Sequence, residues 1–139
     1  MMDKHDRDWA LTVGLLAIHQ AEEVLVSCED WLDRVGTSGS PWLDRHLRRT
    51  WMASPRMERR IAAQVAQAAA IGVLHQATRR SARATRAATT VLVLGWSAAF
   101  AMHVSASVRT RTVMPGTSTS ILPGWIGSAL VLREVWSDD

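Results

Sequence analysis

The stretch LLAIHQAEEVLV, residues 15–26, sets one imidazole and two carboxylates inside an otherwise apolar run. On a helix, residues three and four apart share a face. His19, Glu22 and Glu23 therefore form one compact patch, and Asp30 continues it seven residues beyond Glu23. The same spacing puts Gln64, Gln67, Ile71 and His75 on one face of a second segment, and Trp96, Phe100, His103 and Ser107 on one face of a third. Two chemistries fit this set. One is a metal site: histidine and carboxylate four residues apart, with histidines from neighbouring helices, suit zinc or iron. Its ligands are His19, Glu23, His75 and His103, with the other glutamate free to act as a base. The other is metal-free acid–base work, in which carboxylates beside an imidazole take, hold and pass a proton, as isomerases, cyclases and hydrolases require. The residues fit both equally, so the implied cofactor is one zinc or iron ion, or none.

Other catalytic frames find less support. The di-iron bundle signature is Glu-x-x-His on two helices; here the order is reversed and occurs once. HExxH is absent, and Ser97 in GWSAAF lacks the second glycine of a nucleophile elbow. There is no P-loop and no Gly-x-Gly-x-x-Gly. Cys28 is the single cysteine, which excludes an internal disulfide and a cysteine-rich zinc site. His5 and His46 lie in charged stretches and receive no role.

The elements that must position these groups are apolar. A chain of 139 residues forms one domain, residues 1–139. Four segments stand out: Trp9 to Trp31, 61–78, 87–108 and 112–132, of which the last three carry no charge. A membrane-spanning helix needs roughly 17–25 mostly apolar residues. The third segment meets this fully. The fourth meets it with Pro115-Gly116 at its entry and Pro123-Gly124 as a kink, the second is Ala- and Gln-rich, and the first must include its glutamates. Mean hydropathy is near zero, at −0.01, yet charges cluster between the segments instead of recurring every few residues as on a soluble bundle. The predicted fold is all-α, a four-helix integral membrane bundle with its polar residues inside, placed as a multi-pass protein of the inner membrane. Ionisable groups in such a bundle face its interior. Trp9, Trp31, Trp42, Trp51 and Trp136 fall near segment ends, where interfacial tryptophan is expected. Trp96 and Trp125 fall inside spans. Seven arginines between Arg34 and Arg60 tilt that longer connection towards the cytoplasm. The N-terminus has no small-residue cleavage site and is not read as a cleaved signal peptide. A net charge of +3, spread between apolar segments, gives no one-sided basic face for nucleic acid.

His19-Gln20-Ala21-Glu22-Glu23 resembles the defining motif of the bacterial HXXEE-domain family of small multi-helix membrane proteins. The later stretch MHVSASVRTRTVMPGTSTSILPG, residues 102–124, is similar to that family's second signature: a histidine late in a helix, then an arginine, then Pro-Gly opening the last helix. Carried across, these are His103, Arg109 or Arg111, Pro115, Gly116 and Thr117, with Trp31 also in keeping. Val113-Met114 stand where an aromatic commonly precedes the Pro-Gly. The resemblance implies a membrane topology and a His/Glu/Arg constellation, and it supplies no reaction. An arginine beside the last helix could pair with Glu22 or Glu23, or bind an anionic head group.

The expectation is a small membrane-embedded enzyme acting on a lipophilic small molecule by cyclisation, isomerisation or hydrolysis. Its catalytic groups are His19, Glu22, Glu23, His103, Arg109 and Arg111, and its partners are that substrate and the bilayer. The alternative is a non-enzymatic membrane protein for ligand binding or transport. Four short helices make a thin wall, so a transporter would need to be a homo-oligomer.

Overall fold

Helix starts in this chain are written locally. Asp3, Ser27, Ser40 and Ser81 each accept a hydrogen bond from a backbone N–H of the first turn that follows, which satisfies one of the donors that a helix leaves unpaired there. The computed structural model describes residues 3–137, and among these there is no strand. The elements are α1 (Lys4–Leu25), α2 (Cys28–Val35), α3 (Pro41–Arg49), a 3-10 turn (Trp51–Ala53), α4 (Met57–Thr78), α5 (Ala82–Thr110), the single turn α6 (Thr117–Thr119), a wide π-type turn (Ser120–Trp125) and α7 (Ile126–Val135).

Helices α1, α4, α5 and α7 run antiparallel in chain order. At one end, the start of α1 meets the end of α7: Lys4 Nζ donates to the Glu134 carbonyl at 3.0 Å, and Arg7 pairs with the Glu134 carboxylate at 2.6 Å. His75, near the end of α4, lies 3.6 Å from Asp6, and Trp136 Nε1 donates to Thr90 Oγ1 at the start of α5. The opposite end is covered by α2, α3 and the 3-10 turn. Their apolar faces (Trp31, Leu32, Leu43, Leu47) close on Ala106 of α5 and on Met114. Each large side chain so buried contributes roughly 1.5–3 kcal/mol.

The four predicted segments are all helical, but only one of them is a clear span. Among the described residues α5 alone is long and apolar enough to cross a membrane; α1 and α2 pass the same test together as a pair bent by 55°. α4 falls short because alanine and glutamine dilute it. The fourth segment is broken where Leu122 leaves helical geometry (φ −134, ψ 117), so α7 keeps 10 residues, about 15 Å of helix. The bend after Leu25 also corrects the place given to Asp30. Ser27 starts a new helix there, and Asp30 is exposed on α2 instead of extending the Glu23 face.

Tryptophan divides in two. Trp42, Trp51 and Trp136 are exposed, whereas Trp9 and Trp31 are buried. Trp9 packs edge-on against His75, and Trp31 donates from Nε1 to Thr112 Oγ1. These two are core residues, because packed neighbours surround them.

The loop before α3 turns on Gly36 and Gly39, both at positive φ, a region glycine enters without steric cost. It is tied down by Asp44. One carboxylate oxygen accepts from the Ser38 N–H at 2.8 Å and the Ser38 hydroxyl at 2.5 Å, and the other accepts from the Thr37 hydroxyl at 2.7 Å. Burial pushes the Asp44 carboxyl up, but these donors outweigh it and hold it below the usual carboxylate range. A depressed folded value stabilises fully above the unfolded value, about 4, and that contribution is lost as pH falls through the folded value. The melting-temperature gap between wild type and Asp44→Ala should therefore be flat from pH 7 to about pH 5 and close in stronger acid. A gap independent of pH down to the acid transition would refute this role.

Candidate functional site

The break between α5 and α7 builds the site. Arg111 ends α5 in the left-handed region (φ 54), and Gly116 then takes φ 88 ahead of α6. A Cβ on Gly116 would stand 2.7 Å from His103 Cε1, 2.8 Å from His103 Nδ1 and 3.0 Å from His19 Cε1. Only a residue without a side chain lets the backbone lie against both imidazoles. The turn is held by hydroxyls: Ser107 Oγ lies 2.7 Å from Thr117 Oγ1 and accepts from the Met114 N–H, while Ser120 Oγ donates to the Gly116 carbonyl.

Both imidazoles are buried, at 2% exposure each. They meet edge to face with centroids 5.0 Å apart, and the fully buried Phe100 packs edge-on against His19 at 4.8 Å. His103 Nδ1 lies 2.6 Å from the Pro115 carbonyl. A carbonyl only accepts, so Nδ1 carries the proton. His19 Nδ1 lies 2.9 Å from Thr119 Oγ1. That hydroxyl gives its single proton to Glu22 Oε2 at 2.7 Å, and the Thr119 N–H reaches the same oxygen at 3.2 Å. Thr119 therefore accepts from His19, and this Nδ1 is protonated too. The two Nε2 atoms turn towards Glu23 Oε1, at 3.1 Å from His103 and 3.7 Å from His19. Glu23 Oε2 receives Gln20, whose amide, in the orientation that satisfies both its ends, also accepts from Trp96 Nε1, each at 3.1 Å. Gln64 of α4 touches the same amide.

His19, Glu22, Glu23 and His103 are thus brought together from α1 and α5, with Glu22 facing the turn and Glu23 facing the two imidazoles. The other predicted residues fall elsewhere. His75 is a correction to the metal set: it lies against Trp9 and Asp6, and ten residues of α1 between Trp9 and His19 put it about 15 Å away. Arg109 and Arg111 are a second correction. Both are exposed: Arg109 lies off the His103 face of α5 and packs over Gly39, and Arg111 stands at the sharp exit from the helix. The buried arginine at this end is Arg60, which donates to the Val24 carbonyl at 2.9 Å and the Ser54 carbonyl at 2.5 Å. It secures the last turn of α1 to the roof.

The cluster opens into a cavity of about 380 Å³ between α1, α4 and α5 under the 3-10 turn. Its walls are mostly apolar, from Val91 and Gly95 to Ala99 and Met102 on α5, with Gln20, Thr50, Gln67 and Trp96 among the polar exceptions. His46 stands at its edge, exposed and stacked on Trp42. Sequence reasoning missed Thr119 and Arg60. The run TSTS at 117–120 was a signal for the first: hydroxyls in an uncharged segment need partners inside the protein.

Gly116→Ala should displace an imidazole and destabilise the protein by about 1–3 kcal/mol, the range for overpacking a filled core. Gly36→Ala, at a similar positive φ but with nothing within 4 Å of a Cβ, serves as the control, so that backbone strain is common to both. Equal melting temperatures for the two variants would contradict the close approach.

No curated protein and no solved structure matches the chain. A family described as "Protein of unknown function with HXXEE motif" matches residues 9–130. That span holds His19, Glu22, Glu23, His103 and the 115–119 turn, and the chain belongs to the HXXEE family.

Proposed function

We propose that the protein is a membrane-embedded enzyme that converts a lipophilic small molecule in the cavity above Glu23, by isomerisation, cyclisation or hydrolysis. The observation that carries this reading is the pairing of a buried two-histidine, one-carboxylate cluster with an apolar cavity of about 380 Å³. That volume lies in the range of small-molecule pockets, and their usual pattern is apolar walls with a few convergent polar groups. Glu23 is the reactive carboxylate, since it faces both imidazoles and the cavity. His103, oriented through Nδ1, presents its Nε2 lone pair to the same carboxylate oxygen. Glu22 is a positioning residue that acts through Thr119.

Membrane embedding is supported by the outward faces of the long helices. Leu11, Ile18, Val65, Val73, Val91, Leu94, Ile126 and Leu130 are all exposed, and apolar surface on this scale calls for lipid or a protein partner. In this reading α1, α4, α5 and the broken last segment all lie within the bilayer, and the charged α2 and α3 rest at its surface. The irregular backbone at 115–122 is tolerable at that depth where it is packed within protein.

Two measurements test the proposal. Alkaline washing of membranes should leave the chain in the pellet; release into the supernatant would remove the membrane part of the reading. Untargeted mass spectrometry of a lipid extract incubated with the detergent-purified protein should reveal species consumed and formed. Glu23→Gln should slow that conversion by about 100-fold or more, with helix content and elution volume unchanged. Conversion unaffected by this substitution would reject Glu23 as the reactive group. Flux into vesicles without any product would favour transport instead.

A further inference from the structure

Each imidazole of the cluster spends its Nδ1 proton on the turn, which leaves both Nε2 lone pairs aimed at one carboxylate oxygen. Three acceptors at this separation in a buried site repel one another unless a cation lies between them. One extra proton does not resolve the set. On His103 Nε2 it reaches Glu23 Oε1 at 3.1 Å and leaves His19 Nε2 facing the same oxygen lone pair to lone pair.

We propose that His19 Nε2, His103 Nε2 and Glu23 Oε1 hold a divalent transition-metal ion of the zinc class. The inference rests on the reading of this cluster as the reactive site and names what the cluster holds. Donors around a tetrahedral ion with bonds of about 2.0–2.1 Å stand about 3.3 Å apart; the Glu23 oxygen is 3.1 and 3.7 Å from the two nitrogens. One donor atom from each of the three residues lies within 4.8 Å of the other two. The outer contacts also follow the pattern of metal-bound histidine, which gives its other ring N–H to a carbonyl or, here through a hydroxyl, to a carboxylate. For His103 that acceptor is Pro115; for His19 it is Thr119, held in turn by Glu22. Thr119 and Glu22 are positioning residues for the ion. Three protein ligands leave one position free, as in catalytic rather than structural zinc sites, and the same three residues line the cavity.

The test uses full-length protein without a polyhistidine tag, purified in detergent, stripped with chelator and dialysed against zinc chloride. Elemental mass spectrometry should find about one zinc per chain, falling below a tenth of that in His19→Ala and in His103→Ala and staying full in His75→Ala. Thr119→Val, which keeps all three ligands, should weaken zinc binding by about 10-fold or more. Because an alanine variant can fail to fold, wild type is also loaded with cobalt(II), which should give the intense visible bands of a four-coordinate ion. Wild type that takes up neither zinc nor cobalt overturns the proposal, and so does a loss in His75→Ala equal to that in His103→Ala. Stoichiometric zinc without any product supports the metal site while the enzyme reading fails. Conversion by zinc-free protein that Glu23→Gln abolishes sustains the enzyme reading and overturns the metal.

Discussion

Each buried imidazole needs an acceptor for its Nδ1 proton, and both acceptors come from one turn, residues 115–119. Unpaired, each polar group would cost about 1–3 kcal/mol. This requirement explains features that otherwise look separate. Gly116 lacks a side chain so that the turn can lie against the rings. Ser107 and Thr117 lock the turn to the end of α5. The last segment does not continue as one straight helix, because Leu122, ahead of Pro123, leaves helical geometry.

The two ends of the bundle answer to different forces. At the end where α1 meets α7, charged pairs such as Arg7–Glu134 join the first and last helices; exposed pairs of this kind contribute modestly. At the other end, apolar packing of α2 and α3 on α5 excludes water from the histidines. Low polarity there strengthens every interaction inside the cluster. The roof thus sets the surroundings of His19 and His103 as well as closing the fold.

Periodicity made much of this legible in the sequence. The spacing of His19, Glu22 and Glu23 put them on one face, and the faces carrying Gln67 and His103 do point inward. The helical class followed from the uncharged runs. What the spacing did not carry was depth along the bundle. His75 shares a face with Gln64 and Gln67, yet its height sets it beside Trp9, since α4 runs antiparallel to α1. Arg109 and Arg111 were mislaid for two reasons: Arg109, six residues after His103 on the same helix, lies off the histidine's face, and Arg111 is itself the left-handed residue that ends α5. Thr119 was hidden because a hydroxyl in an apolar run usually bonds to its own helix; here the helix is broken, and the hydroxyl turns to His19 and Glu22.

The guanidinium of Arg60 binds the Val24 carbonyl on one side and the Ser54 carbonyl on the other. Lifting the roof away from α1 would strip a buried charge of these partners, a change costing several kcal/mol. The cavity instead reaches along α5 to the exposed Val91, on the flank of the bundle. In the membrane-embedded reading proposed above, a molecule dissolved in lipid would enter sideways, already concentrated by partition. Its occupancy would then follow its mole fraction in the bilayer, so adding more lipid at a constant amount of substrate would act as a diluent even though nothing in the water had changed.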